Sequence, residues 1–368
     1  MDYQQMNPLP VPTEGAFQQL SATVDTVLDW QYELRRKDLL SLYEKGKTQQ
    51  WNATDVDWSI EVDLERLIQQ RIDNGAAVLM NQIMAPPIPL KPEALLRMQL
   101  NMTSFMLSQF LHGEQGALLA TAKIVQGVPW EEAKFYAANQ VADEARHVEV
   151  YHRYLTEKLG VSYPVNDNLR TLLDQIIRDP RWDITFLGMQ IMVEGLALAA
   201  FSVTRMQMAD EPLIQDIITR VMGDESRHVA FGVLALHELY EKEMNETDLR
   251  EREDFVIEAT HLLRNRLLME PVFERLGWDV DLWIAWAKET PFMTGFRQLM
   301  FAKIVPNLKR LGLLTPRVRA EYEKLDLLRY EHMKDSVEET EAPPPTELVE
   351  LLSQFMQQQP ERAATATA

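Results

Sequence analysis

The sequence predicts an all-α fold built around a bundle of four long helices. The chain has 14 glycines and 18 methionines in 368 residues, a composition that favours long helices over a turn-rich β protein. Its apolar residues recur with helical spacing in segments that are bounded by Pro, Gly, Asn and Asp residues, which are common at helix ends. We find no segment with strand periodicity that is long enough to build a sheet.

The first part of the chain, residues 1–59, is predicted to be an extension that contains one helix. Its elements are a polar lead-in at 1–24, an amphipathic helix at 24–45 that closes at Gly46, and a loop at 49–59.

The main part, residues 60–340, is predicted to form one helical domain, and residues 341–368 a largely disordered tail. Asp210 is a plausible N-cap for the fourth long helix, because Pro212 follows in its first turn. The predicted helices are 62–84, ended by the prolines of 86–92, then 92–126, 129–160, 169–178, 182–209, 210–242, 247–275, 279–288, 293–311 and 316–334.

Composition and charge exclude several classes of protein. The net charge of −19 disfavours nucleic-acid binding, because such a surface repels phosphate. With no cysteine there is no disulfide framework, thiolate metal site or cysteine nucleophile. The N-terminus lacks the features of a signal peptide. We find no run of about 18 apolar residues, so we expect no membrane span. We therefore expect a soluble, acidic, cytoplasmic protein.

Two nearly identical hexapeptides carry the functional signal. DEARHV (143–148) and DESRHV (224–229) differ at one position, which is very improbable by chance. Each has a glutamate in an apolar helix upstream: Glu114 precedes Glu144 by 30 residues, and Glu194 precedes Glu225 by 31. This is an internal repeat of helix hairpins, each carrying a Glu and a Glu-x-x-His pair.

Helix geometry places these residues at one level of the bundle. Glu114 and Glu144 each lie about 20–22 Å from the turn that joins their helices, and Glu194 and Glu225 lie about 20–24 Å from theirs. Within each Glu-x-x-His pair the two side chains share a helix face. Four helices can therefore direct four carboxylates and two imidazoles at one point.

Such a cluster indicates a pair of metal ions. Buried carboxylates need neutralising, and Glu and His donors without thiolate suit iron or manganese. Glu plus Glu-x-x-His hairpins are the arrangement of di-iron and di-manganese carboxylate bundles. The residues beside the glutamates are candidates to orient the imidazoles: Asp143, Arg146, Asp224 and Arg227.

Other histidines fit the pattern poorly. Glu149/His152 points about 140° away from a site made by Glu144. Glu258/His261 lacks the flanking Asp and Arg and belongs to no repeat. We interpret both as surface pairs, and the remaining histidines as ordinary helix residues: His112, His237 and His332.

The Asp-Glu-x-Arg-His form of both halves resembles the ferritin-like dinuclear-iron carboxylate superfamily over about residues 60–310. The resemblance implies a ferritin-like four-helix core with additional N- and C-terminal helices, and a homodimer. It implies that Glu114, Glu144 and His147 bind one metal and that Glu194, Glu225 and His228 bind the other, with Glu144 and Glu225 bridging. The cofactor it implies is two iron ions, or one manganese and one iron.

The activity that the resemblance implies is O₂ activation at a non-haem di-iron site, as a monooxygenase-like oxygenase or oxidase acting on a small apolar or aromatic metabolite. No flavin or nicotinamide fingerprint is visible, so electrons would come from a separate reductase or ferredoxin. The alternatives are a desaturase, a Mn/Fe ligand-binding oxidase, a radical-generating subunit of the ribonucleotide reductase type, and iron storage. Val221, at the position of an additional histidine in arylamine N-oxygenases, disfavours that subfamily.

Two further expectations concern the surroundings of the metals. An apolar pocket, or simply bundle core, is predicted from Leu107, Phe110, Leu118, Leu198 and Phe201. Tyr151 lies one turn after His147, about 40° round the helix, at the position that carries the radical in the ribonucleotide reductase subunits. It is either a redox-active catalytic phenol or a tyrosine whose hydroxyl bonds a ligand carboxylate or water. We favour the second interpretation, because the tail lacks an aromatic relay.

Overall fold

The structure, a computed structural model, describes residues 18–339, and within this range it contains helices and no strand, as predicted. Fifteen α-helices account for most of these residues. They are α1 Lys37–Thr48, α2 Leu64–Arg71, α3 Ala77–Met84, α4 Pro92–Gly127, α5 Glu131–Arg153, α6 Asp167–Arg178, α7 Trp182–Phe186, α8 Glu194–Gln207, α9 Pro212–Glu238, α10 Glu246–Asn265, α11 Glu270–Leu276, α12 Val280–Glu289, α13 Pro291–Leu299, α14 Ile304–Arg310 and α15 Pro316–Lys324.

Two helix hairpins form the centre of the molecule. Hairpin 1 consists of α4 and α5, which pack along most of their length, and hairpin 2 consists of α7–α8 and α9. Close approach is possible where glycine faces a neighbour: a Cβ on Gly116 would lie 2.4 Å from Leu173 of α6. Glu211, and not Asp210 as predicted, caps α9, because its carboxylate accepts from the backbone N–H groups of Leu213 and Ile214. Asp210 pairs with Arg71 instead.

The first arm of hairpin 2 is one continuous helix that contains an irregular turn. α7 continues through a π-helical turn, Leu187–Val193, directly into α8, so Glu194 is the first residue after the irregularity. This arm, Trp182–Gln207, is the one described helix that is apolar and long enough to cross a membrane. The arm is apolar on average, but Gln190 and Glu194 interrupt it, so it is not a run of about 18 apolar residues. Of its most apolar window, 94% is buried inside the protein, as in the core helix of a bundle.

The N-terminal segment differs from its prediction. The helix predicted to start at residue 24 starts at Lys37, because the preceding chain lies against hairpin 1. The N–H of Val27 donates to the Gln126 carbonyl, and the N–H of Arg36 donates to the Glu132 carboxylate at 2.7 Å. Gly46 lies inside α1, where a Cβ would meet Asn139 at 2.9 Å. Gly46 therefore lets α1 pack closely against Asn139 of α5, and it does not end the helix.

Several predicted helices are divided in the structure. The one expected over 62–84 breaks into α2 and α3 at Gly75, whose φ of +94° is a left-handed conformation that favours glycine. The helices expected over 247–275, 293–311 and 316–334 are likewise interrupted near residues 266–269, 300–303 and 325–327. The predicted disordered tail lies outside the described residues.

Candidate metal centre

The six predicted ligand side chains come together inside the bundle. Glu114 is on α4, Glu194 begins α8, and the two Glu-x-x-His pairs lie on α5 and α9. All six are at most 6% exposed. Their donor atoms form two groups within which every atom lies within 4.8 Å of the others: Glu114, Glu144, His147 and Glu225, and Glu144, Glu194 and His228. Glu144 belongs to both groups.

The Nδ1 atoms of the two imidazoles face the carboxylates. Nδ1 of His147 lies 3.3 Å from Glu114, 3.3 Å from Glu144 and 3.1 Å from Glu225. Nδ1 of His228 lies 3.1 Å from Glu144 and 3.4 Å from Glu225. Glu144 and Glu225 thus contact both histidines, which is the position that bridging ligands need.

The other nitrogen of each imidazole is held by an aspartate from the opposite hairpin. Nε2 of His147 donates to Asp224 at 3.1 Å, and Nε2 of His228 donates to Asp143 at 3.3 Å. Arg227 pairs with Asp224 and Arg146 with Asp143. A carboxylate can only accept, so each bond keeps the proton on Nε2 and leaves Nδ1 available for a metal. The aspartates therefore orient the imidazoles, as predicted, but across the bundle.

Two parts of this arrangement escaped the sequence analysis. The segment predicted as a loop at 49–59 contributes Trp51, whose Nε1 donates to Asp224 at 2.7 Å and whose ring stacks on His147 with centroids 6.3 Å apart. Gln50 donates to Asp143 at 3.1 Å. Nothing in the local sequence marks these residues, because their partners lie about 90 and 170 positions away.

The other missed residue is Gln140, one turn before Glu144 on α5. Its Nε2 donates to Glu144 at 2.9 Å and to Glu194 at 3.0 Å, so it ties the two hairpins together. A buried glutamine four residues before a ligand glutamate, on the same helix face, was a signal that could have been used.

The donor set fits two divalent cations. Several buried atoms that face the centre have no hydrogen-bond partner among the described residues: Oε2 of Glu144, Oε2 of Glu194, both carboxylate oxygens of Glu225 and Nδ1 of His228. Leaving one such atom unsatisfied costs about 1–3 kcal/mol. Four carboxylates are neutralised by two divalent cations, while the pairs of Asp and Arg around them are already neutral. The oxygen-rich set without thiolate favours iron or manganese over structural zinc.

Without a cation the charges in the cluster are in conflict, as the pKa values show. Burial and the nearby Glu225 carboxylate raise the pKa of Glu114 well above its usual range, and burial with Glu225 and Glu144 does the same for Glu194. Burial lowers the pKa of His147, but the Glu114 charge and the hydrogen bonds to Asp224, Glu114 and Glu144 together outweigh burial and raise this pKa well above 6.5. Two bound cations would remove this conflict, because metal binding favours ionised carboxylates and neutral imidazoles.

Tyr151 lies in an aromatic cluster beside the carboxylates. Its ring centroid is 5.8 Å from Phe110 and 6.1 Å from Phe201, and these two phenylalanines are 4.5 Å apart. We call Phe110, Tyr151 and Phe201 the aromatic trio. The Tyr151 hydroxyl is buried and bonds no ligand carboxylate among the described residues, so of the two predicted partners the water stays a prediction.

The residues predicted to lie outside the site do so. Glu149 and His152 are exposed, and His261 pairs with Glu321 at 3.0 Å. Nε2 of His112 lies 2.9 Å from the Tyr163 carbonyl oxygen.

The comparisons with known proteins are distant. No protein-family model and no curated protein matches the chain. Solved structures of R2-like ligand-binding oxidase variants with reconstituted Mn/Fe cofactor are similar in fold. One, reconstituted anaerobically, is 17% identical with a TM-score of 0.45, and another, reconstituted aerobically, is 18% identical with a TM-score of 0.44. Both alignments cover 76% of this chain and 92% of the other. Any functional assignment therefore rests on the geometry of this chain's own residues.

Proposed function

We propose that this chain is an O₂-activating non-haem dimetal oxidase or oxygenase that acts on a small apolar or aromatic molecule. The observation that carries the proposal is the convergence of four buried glutamates and two histidines, with unpartnered side-chain atoms on Glu144, Glu194, Glu225 and His228. In this proposal Glu114, Glu144 and His147 hold one ion, and Glu194, Glu225 and His228 hold the other, with Glu144 and Glu225 between them. The ions are two irons, or one manganese and one iron.

The residues around the metal ligands position them, balance their charge and limit the access of water to the site. Asp143 and Asp224 fix the imidazoles, and Gln140 fixes the relative position of Glu144 and Glu194. The buried aromatic trio lies within two helical turns of Glu114, His147 and Glu194 and would keep water from that end of the cluster. A dry, preorganised site strengthens electrostatic interactions with the reacting oxygen atoms. When bound, a pair of ferrous ions would supply two electrons to O₂.

Electron balance then requires an external donor. Insertion of one oxygen atom into a substrate consumes one O₂, two protons and two electrons for each product and water formed. The proposal therefore includes a separate reductase or ferredoxin. Because this chain is acidic, that electron donor would bind it through basic residues of its own. A homodimer and a cytoplasmic location stay predictions.

The experiment compares two histidines on the same helix. His147→Ala should lower bound iron from about two equivalents to about one or fewer, since an imidazole ligand is lost. His152→Ala is the matched control, because His152 is exposed and belongs to the neighbouring Glu-x-x-His. Metal content is measured by elemental analysis, and O₂ uptake by the ferrous protein is measured with and without a chemical reductant.

Each result has a defined meaning. Sustained O₂ uptake that needs the reductant, and is lost in His147→Ala only, supports an oxygenase or oxidase. Uptake that needs no reductant and mineralises many iron equivalents per chain would indicate storage. Metal content near zero in the intact protein would contradict the proposal.

A further inference from the structure

A methionine-rich cavity lies beside the bundle, away from the carboxylates. It has a volume of about 270 Å³ and is lined mainly by residues of α2, α3, α4, α8 and α13. Eight of its 20 lining residues are methionines, out of 18 in the whole chain. Methionine side chains are flexible and polarisable, so they adapt to apolar ligands of irregular shape. None of the five residues predicted from the sequence to line a pocket lines this one; four of those five are buried in the core.

The cavity approaches the metal centre from the side of the aromatic trio. On α4, Met106 lines the cavity, Phe110 follows after one turn, and Glu114 after another. The axial separation of Met106 and Glu114 is therefore about 12 Å. On α8, Ala200 lines the cavity next to Phe201 and lies about 9 Å along the axis from Glu194. One helical turn with its two phenylalanines thus separates the cavity from the candidate ligands.

Charge restricts what the cavity can hold. Among the described residues of its lining, Arg71 is the one that carries a charge. Its guanidinium is already committed, because Nε donates to Asp210 at 3.0 Å and a terminal nitrogen donates to the Gln207 carbonyl at 2.8 Å. A carboxylate or phosphate placed here would find no free cation, and burying it would cost several kcal/mol. The remaining polar groups are hydroxyls and amides, which accommodate at most a weakly polar end.

We infer that this cavity binds the uncharged, apolar substrate of the proposed oxidase. The inference rests on the proposed function and names its substrate class. A cavity of ~150 Å³ lined by apolar side chains binds benzene, so about 270 Å³ suits roughly ten or eleven carbon atoms. The ligand is an uncharged hydrocarbon or aromatic molecule of this size, and Phe110 and Phe201 are the positioning residues between it and the metals.

The test uses naphthalene, a fluorescent uncharged molecule of ten carbons, and decanoate, a ten-carbon carboxylate. Titration of the purified chain should show one saturable naphthalene site. Ala200→Phe on α8 and Met293→Trp on α13 each fill part of the cavity, and each should weaken binding at least about tenfold. Ala138→Phe makes the same change at an exposed position of α5, and it should leave the dissociation constant within about twofold.

Three outcomes overturn the inference: no saturable naphthalene binding, binding that survives both filling variants, or decanoate binding that is as tight and equally sensitive to them. Using two filling variants keeps the test decisive if one of them does not fold. Repeating the titration in His147→Ala separates this inference from the proposed function. Intact naphthalene binding there, together with absent O₂ uptake in the unmodified protein, would sink the proposed function and leave the site standing.

Discussion

The two ends of the metal cluster differ, although the two hairpins repeat each other in sequence. At the end facing the methionine-rich cavity stands the aromatic trio, Phe110, Tyr151 and Phe201. At the other end, the positions equivalent in the repeat hold Gln190, Gly232 and Thr121. There the amide of Gln190 donates to the Thr121 hydroxyl at 3.5 Å, and Gln190 packs directly against Gly232.

The repeat therefore contains two kinds of position: those that hold the metals and those that shape the surroundings of the metals. The residues that are the same in both hairpins are the candidate ligands and the Asp and Arg beside them, which set the positions and charge of the metals. The residues that differ at these three positions lie one or two turns away. They are aromatic at one end, and an amide, a glycine and a hydroxyl at the other, where Tyr136 and Phe231 supply the rings instead. Gln140 adds to the asymmetry, because its equivalent in hairpin 2 is Val221.

The largest expected effect concerns the ligands that the two halves share. Glu144 belongs to both donor groups, whereas Glu194 belongs to one. Glu144→Ala should therefore abolish nearly all metal binding, while Glu194→Ala should leave about one equivalent. Elemental analysis of both variants, prepared in parallel, measures this. Equal losses in the two variants would show that the donor groups do not act as separate positions.

The next effect tests the crossed aspartates. Asp224→Asn and Asp143→Asn should each lower metal affinity about 10–100-fold, because the imidazole of the opposite hairpin loses its orienting acceptor. Asp216→Asn is a control on α9, since Asp216 pairs with Arg220 away from the ligands. Affinity is measured by competition with a chelator. If Asp224→Asn behaves like the control, the orienting role assigned to Asp224 is wrong.

A smaller effect compares two glycines of α9. At Gly232 a Cβ would lie 2.6 Å from the Cβ of Gln190, so Gly232→Ala should lower the free energy of unfolding by about 1–3 kcal/mol. At Gly223 a Cβ meets nothing within 4 Å, so Gly223→Ala should raise it by about 0.5–1 kcal/mol through helix propensity. Chemical denaturation of both variants checks the opposite signs, and two changes of the same sign would contradict the packing argument.

The smallest expected effect is that of Tyr151→Phe. Since the hydroxyl has no partner among the described residues, its removal should change the free energy of unfolding by less than about 1 kcal/mol and leave the metal content unchanged. Electron paramagnetic resonance after the ferrous protein meets O₂ tests the redox interpretation. We expect no long-lived tyrosyl signal. A tyrosyl signal that is present in the unmodified protein and absent from the variant would instead favour radical generation at Tyr151.

The sequence by itself determined the helical class, the two hairpins and the six candidate ligands. These features follow from local rules: apolar spacing defines a helix, and a Glu-x-x-His spacing puts both side chains on one face. The depth of each glutamate relative to its turn could be calculated for the same reason. Even so, Asp210 was mistaken for the cap that Glu211 provides, because both have a carboxylate near Pro212.

Only the tertiary structure decided which residues surround the ligands. The partners of Asp143 and Asp224 include Gln50 and Trp51, and the cavity is lined by residues as far apart in the chain as Leu64 and Phe296. Such contacts depend on how whole helices pack, and packing is set by the shapes of many side chains at once, so no local pattern encodes it. For the same reason α1 begins 13 residues late: the preceding backbone donates its hydrogen bonds to hairpin 1, and a helical pattern alone does not reveal that competitor.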